Sequence, residues 1–294
     1  MGSRDFKKIG IVLFVTFGSW KGFSQSSDIF RVEYLRVPEN DTGIETSRYK
    51  FLFNVPMKIV EDKYVVLGVE YNRFDFDFSQ DFPFDKSALD SFHVIDLNLG
   101  YITKWNENWR LFTIVTPRVA SNFTENTLSD DFFFNVTASF LKDKKDVAKP
   151  FRIIVGLSYN STTGLPFPLP LFSYYKRFHP KWSYTLGIPR MNFKYHADKK
   201  HTLQAALLLD GYFMNIQDDI LLPDGELGSK ISLSALIGAL GYQYNISKSM
   251  SVYALVGRSI EQEGRLRNDD RDDVFLLNEE ANIYLRWGFK ISIF

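Results

Sequence analysis

The 294-residue chain carries four histidines, His93, His179, His196 and His201, and no cysteine. Without thiols there is no thiolate nucleophile, disulfide or cysteine metal site. The scattered histidines have no ligand spacing, so neither a metal nor a cofactor is expected. Barrel hydrolases need a Ser–His or Asp–His pair at a rim. His93 shares the parity of Ile95 and Leu97, while His179 and His201 stand beside short polar links, so no catalytic residue is assigned. The acidic stretches 75–85 "DFDFSQDFPFD" and 268–273 "NDDRDD" could gather cations, but neither has EF-hand spacing and both read as solvated loops. The stretch 142–149 "KDKKDVAK" reads as a solvated turn. Lys plus Arg and Asp plus Glu each number 35, so no net field points to nucleic acid.

A second set of charged residues has a different pattern. Arg48, Lys50, Lys58, Glu70, Asp96, Arg152, Arg286 and Lys290 stand at alternate positions of extended runs, opposite in parity to the apolar residues. In 47–59 the odd positions are Tyr49, Phe51, Phe53, Val55, Met57 and Ile59, and the even ones include Arg48, Lys50, Asn54 and Lys58. The ending 282–293 sets Ile283, Leu285, Trp287, Phe289, Ile291 and Ile293 against Asn282, Tyr284, Arg286, Gly288, Lys290 and Ser292. Alternation of this kind is the mark of a β-strand with two different solvents on its faces. The charged set is then the predicted lining of a water-filled lumen, six bases against two acids.

Positioning such a lining takes many strands. The alternation predicts them near 28–37, 46–59, 63–76, 92–104, 109–119, 131–142, 150–160, 169–178, 181–188, 190–196, 201–215, 229–246, 249–260 and 279–294. That is fourteen, with twelve as the alternative count. The segment 182–196 decides between them, because splitting it at Pro189 gives strands shorter than the ~9–11 residues that a membrane span takes. Short polar links (61–63, 106–108, 179–180, 197–200, 247–249) take turns with longer ones (79–91, 121–130, 217–228, 261–278). Outer-membrane barrels show this asymmetry of turns and loops.

The solvent of each face follows from size. Fourteen strands make a barrel too wide to fill from within by the apolar face alone, so that face is predicted to meet lipid and the charged face to enclose water. Tyr101, Trp105, Trp109, Tyr174, Tyr175, Trp182 and Trp287 suit interfacial girdles. The first 24 residues read as an export signal: Arg4, Lys7 and Lys8, an apolar run over 9–20, then Gly22 and Ser24 before a cleavage point. Residues 25–294 are then one barrel domain.

A leader of this type, alternating strands throughout and a last strand ending in Phe294 resemble a Gram-negative outer-membrane β-barrel. The stretch 164–173 "GLPFPLPLFS" with 182–189 "WSYTLGIP" is similar to an uncharacterised family of such barrels. The resemblance implies an all-β, antiparallel up-and-down barrel in the cell outer membrane. It also implies contact with outer-membrane lipids and lipopolysaccharide. Gly288, Ile291 and Ile293 with Phe294 resemble the terminal signal read by the barrel-assembly machinery, although Phe294 falls on the polar register. The function expected first is a passive pore for small solutes with mild anion preference. A closed structural or surface-interaction barrel and an outer-membrane lipid hydrolase are the alternatives.

Overall fold

The computed structural model describes residues 28–160 and 167–292. The export signal, Ile293 and Phe294 lie outside the described residues, as does part of the 164–173 stretch. The strands are β1 (Asp28–Val37), β2 (Ile44–Val60), β3 (Lys63–Phe78), β4 (Ser91–Lys104), β5 (Arg110–Ser121), β6 (Phe132–Lys144), β7 (Phe151–Tyr159) and β8 (Leu169–His179). They continue as β9 (Trp182–Ile188), β10 (Arg190–His196), β11 (His201–Leu221), β12 (Leu227–Asn245), β13 (Met250–Arg267), β14 (Asp273–Asn278) and β15 (Ile283–Ser292). Each pairs antiparallel with its sequence neighbour from β1 to β13, β13 pairs with β15, and β15 closes on β1 from Asp28↔Ser292 to Arg36↔Leu285. The ring therefore has fourteen strands. The fifteenth, β14, is a short addition to the far end of β13. Fourteen was the favoured reading, and the split at Pro189 is real: β9 and β10 form a hairpin with Asn192 opposite Thr185.

Each of the fourteen ring strands is paired on both sides over at least part of its length, and the outward register is apolar. Phe51, Phe53, Val55, Leu67, Ile95, Leu97, Phe134, Leu157, Leu186, Phe193, Leu203, Leu240 and Trp287 are all exposed. A continuous ring of such side chains around a closed barrel is what a bilayer requires. The short links 61–62, 105–109, 180–181, 197–200 and 246–249 lie at one end with both described termini, here the turn end; the long ones lie at the other, the loop end, together with the one-residue turn at Pro189.

Two expected loops are in fact strand. β11 and β12 have 21 and 19 residues, and their hairpin turn is only 222–226, so 217–221 and 227–228 belong to strands, with Ile220 and Leu221 paired to Gly228 and Leu227 beyond a bulge. Likewise 261–278 holds the end of β13 and all of β14. Paired backbone satisfies its own polar groups and can carry apolar side chains away from water, which a solvated loop cannot. The acidic segment 75–85 is corrected in the same way. Its first part belongs to β3, with Phe74 and Phe76 buried and Asp75 and Asp77 on the opposite face.

The wall is uneven. β10 covers β11 only from Thr202 to Leu208. Beyond that point β11 stays paired with β12 and crosses to the far side, where Asn215 meets Ser121 of β5 in a parallel bridge. β7, β9 and β10 have only nine, seven and seven residues. The ring is thus low along β7–β10 and high elsewhere.

Candidate functional site

The lumen is built in three levels, and β2 shows them in order. From the loop end its inward residues are Ile44 among packed apolar side chains, then Arg48 and Lys50, then Leu52, Asn54 and Pro56 around a cavity.

The level at the loop end is a packed core. Ile44, Phe74, Phe76, Phe92, Val94 and Ala120 from the wall, with Leu89 from the link between β3 and β4, meet Tyr212, Met214, Ile216, Ile220, Leu222 and Ile231 from the folded-in hairpin. Phe92, Met214, Leu89 and Val94 are completely enclosed. Asp131, in a short 3-10 turn before β6, fastens the hairpin. It accepts from the Leu128 amide (2.7 Å), Asn215 Nδ2 (2.8 Å) and Gln217 Nε2 (2.8 Å). Burial pushes its carboxyl up, but the bonds from Leu128, Ser121, Gln217 and Asn215 outweigh this and hold it below the ordinary aspartate value.

The middle level is a belt of charge. Arg48 donates to Asp210 (3.1 Å) and Glu33 (3.3 Å), and Arg286 donates to Asp210 (2.5 Å). Tyr284 Oη donates to Asp210 (2.8 Å) and Tyr253 Oη to Glu33 (2.5 Å). Asp210 is on β11, Arg48 on β2 and Arg286 on β15, so these bonds tie together strands that are not neighbours. Lys50 pairs with Glu70 at 2.6 Å, and Arg118 grips Asp96 through both carboxylate oxygens at 2.5 and 2.6 Å. The Arg48 guanidinium also lies 5.1 Å from the Tyr212 ring centroid. Charges held this far from water need such partners, because an unpaired one would face the full desolvation cost.

The lowest level is a chamber of about 650 Å3. Leu52, Val66, Ile102, Phe112, Ile114, Ile154 and Leu171 give it an apolar wall, and Asp28, Arg31 and Arg190 stand at its other side. Ile188 and Pro189, the turn between β9 and β10, form part of its rim. Gly288 faces inward beside Tyr253: a Cβ there would stand 2.9 Å from Tyr253 Oη and 2.6 Å from the Val32 carbonyl, so glycine lets the ring lie across β15 and reach Glu33.

The predicted lining residues fall into separate places. Arg48, Lys50, Glu70, Asp96 and Arg286 come together in the belt. Lys290 lies below it, with its ammonium 5.8 Å from the Tyr253 ring centroid. Arg152 bonds to Asp143 (2.9 Å) toward the turn end, and Lys58 is exposed beside the β2–β3 turn. Ile291 of the terminal signal pairs with Phe30 of β1 and Met250 of β13.

Sequence reasoning missed Glu33, Arg118 and Asp210. With them the belt holds four bases (Arg48, Lys50, Arg118, Arg286) and four acids (Glu33, Glu70, Asp96, Asp210), and the surplus of base disappears at this level. The parity of "RVEYLRV" and "TPRVA" could have found Glu33 and Arg118. Asp210, inside "ALLLDGYF", gave itself away only as an acid within an apolar run.

The histidines take structural partners. His93 Nδ1 bonds Tyr71 Oη (2.7 Å) on the outward face, and His201 Nδ1 bonds Tyr242 Oη (2.6 Å). His196 lies 2.9 Å from Ser183 Oγ, which has the composition of a nucleophile and base. Its other nitrogen meets the Thr202 hydroxyl (3.2 Å) rather than a carboxylate, and Ser183 is 1% exposed and off the chamber lining. A hydrolase needs the nucleophile to be reached. In the acidic run, Asp269 takes Lys230, and Asp273 takes Arg265 and Arg267.

Comparison with solved structures returns membrane barrels at very low identity. The NanC porin is 10% identical, with 90% of this chain and all of that chain covered and a TM-score of 0.37. An outer membrane channel from Pseudomonas putida F1 is 12% identical over 95% of this chain and all of that chain, with a TM-score of 0.45. The outer membrane phospholipase A from Escherichia coli is 10% identical over 92% and 98%, with a TM-score of 0.35. Among curated proteins nothing matches. One family profile does match, over residues 41–292, which is most of the chain: the protein belongs to the family described as a domain of unknown function, DUF6268.

Proposed function

We propose that this protein is an outer-membrane β-barrel closed to free diffusion along its axis, and that its working site is the chamber in the turn half. The exposed apolar ring and closed edge support the membrane seat, and the arrangement of turns and loops supports the outer membrane with the turn end toward the periplasm. One observation carries the closure. The β11–β12 hairpin folds into the lumen, bridges to β5 and packs its Met214, Ile216 and Ile231 against Phe74, Phe76 and Phe92. A passive pore needs a continuous watery path. Here that path meets enclosed apolar side chains and then a belt of mutually neutralised charges. Of the three readings offered by the sequence, the closed barrel fits best.

Planar bilayers and sugar-loaded liposomes test this. The refolded barrel is expected to give no steady conductance and no swelling with small sugars. A steady ohmic current carried by the wild type would overturn the closed reading and restore the passive pore. Reversal potentials would then report whether it prefers anions.

A further inference from the structure

Lysines are unevenly spread over the lipid-facing side of the turn end. The link 145–150 between β6 and β7 stands there beside the link 180–181 between β8 and β9, and the Arg177 amide donates to the Pro150 carbonyl (2.8 Å). Register sets three rows across the outward face of β6, β7 and β8. Nearest the turns is Lys144–Phe151–Lys176, next Lys142–Ile153–Tyr174, then Phe140–Val155–Phe172. Among the described residues, no acid shares this outward register on the three strands. Lys142, Lys144 and Lys176 pair with no described carboxylate. Asp143, on the lumen side, takes Arg152 (2.9 Å) and Lys145 (3.9 Å), and Asp146 is exposed in its turn. Elsewhere on the ring the outward turn-end positions hold Phe30, Thr103, Tyr195, Tyr244, Met250 and Ile291, and only Lys63, on β3, adds a lysine.

Position along the strand puts this cluster at the edge of the hydrocarbon. The outward apolar residues of β6 run from Phe132 to Phe140. That length of strand spans about 30 Å along its own axis and roughly 21 Å across a membrane at ~45° tilt, close to the ~25 Å of the apolar band. Lys142 and Lys144 are the next two outward residues, so their ammonium groups reach the headgroup plane. The Trp105 and Phe140 ring centroids are 5.4 Å apart, and the Lys142 ammonium lies 5.7 Å from the Trp109 ring centroid. Such rings and cations mark the membrane interface. Strands ~4.8 Å apart put Lys144 and Lys176 about 10 Å from each other across Phe151, with Lys142 about 7 Å from Lys144. Three flexible lysine stems can therefore close on one phosphate.

We infer that this outer face of β6–β8 binds an anionic phospholipid of the leaflet at the turn end. The phosphate lies among Lys142, Lys144 and Lys176, and the acyl chains run over the exposed Phe140, Val155 and Phe172. A zwitterionic headgroup brings its own cation and leaves the lysines without a net counter-charge. An acidic soluble partner reaches the turns but not the rows that the bilayer covers. Lys145, Lys149 and Lys181, exposed in or beside the two links, add to the attraction. Each lysine beside an anionic leaflet strengthens such contact by roughly fivefold. The inference rests on the membrane seat and on the place of the turn end in it, not on closure of the lumen.

The test is native mass spectrometry of the refolded full barrel with dioleoyl phosphatidylglycerol and dioleoyl phosphatidylcholine, which share chains and phosphate and differ in net charge. Wild type should retain the first at least about tenfold more tightly. Exchanging Lys142→Gln, Lys144→Gln and Lys176→Gln together should abolish that preference, and Lys144→Gln or Lys176→Gln alone should lower it roughly fivefold. Lys63→Gln, Lys199→Gln and Lys248→Gln together remove as much charge from the turn end outside the patch and should leave the preference in place. Migration of unheated samples on gels establishes which variants are folded, and only those are compared. Equal retention of both lipids by wild type, an unchanged preference in the folded patch variants, or the same loss in the control triple overturns the inference. A barrel that inserts into vesicles but shows no preference loses this inference alone, whereas one that does not insert loses the membrane seat as well.

Discussion

The tall strands line both halves of the lumen in one register, yet the two halves are different materials. β4 contributes Phe92 and Val94 toward the loop end and Gly100 and Ile102 toward the turn end, all on its inward face. In the loop half the β11–β12 hairpin supplies a second layer, so Phe92 and Val94 become fully enclosed. In the turn half nothing in the described structure crosses, and comparable side chains face one another over a cavity. An inward register therefore has no fixed polarity. What is folded into the barrel decides whether it behaves as a protein core or as a chamber wall.

The largest effect should come from the belt that separates the halves. Arg118→Leu strands Asp96, which is 4% exposed, without its bidentate partner. Breaking one side of a buried pair costs about 3–5 kcal/mol. Urea unfolding in lipid vesicles should show that loss, and Asp96→Asn added to Arg118→Leu should recover most of it. A single-variant loss below about 1 kcal/mol would mean that water reaches the belt. Phenylalanine truncation then compares the halves directly. Phe92→Ala opens a hole in a packed core and should cost about 3–5 kcal/mol. Phe112→Ala enlarges an existing cavity and should cost about 1–3 kcal/mol, chiefly the lost burial of the ring. Equal costs would erase the contrast.

Strand count, closure and the outward face were legible because period-two alternation is local and repeats along every strand. Pro189 could be read as a break because a single strand over 182–196 would put 217–228 at the turn end, and splitting it there restores the alternation of short and long links. The inward face was legible only where it was charged. Phe74 and Phe76 lie on the same face as Glu70 and Asn72, so parity alone placed them in the lumen, yet the acids between them suggested a solvated loop. The folded-in hairpin escaped because its inward turn depends on long-range contacts with β5 and the turn holding Asp131, which leave no periodic trace. The ion pairs escaped for the same reason: Arg48 and Asp210 are 162 residues apart. For the site, then, sequence supplied five of the eight belt charges and none of their connectivity.

The Asp131 fastening should have an intermediate effect. Asp131→Asn places an amide donor among donors from Leu128, Asn215 and Gln217, and losing a satisfied buried acceptor costs about 1–3 kcal/mol. The sign of its pH dependence follows from a native carboxyl held below the ordinary 3.8. The stabilisation is complete above that value and is lost as pH falls through the lower native one. Hydrogen-exchange protection at Asn215 and Gln217 should stay level from neutral pH down to about 4 and decline below it. Asp131→Asn should show weak protection throughout with no such decline. A wild-type decline beginning near neutrality would mean that another group controls the hairpin.

The smallest effect belongs to a pair that matches the belt in geometry and differs from it only in surroundings. Arg36 grips Glu45 through two bonds of 2.8 and 2.9 Å, between β1 and β2 near the loop end. The contact repeats the two-pronged grip of Arg118 on Asp96, but the arginine side chain is 48% exposed rather than 5%. Water and salt screen the exposed pair and solvate either partner left alone. Arg36→Ala should therefore leave the unfolding midpoint unchanged within error, at low salt and at high. If it destabilised the barrel as strongly as Arg118→Leu, the bonds themselves would hold the wall together, and the enclosure of the belt would be incidental to it.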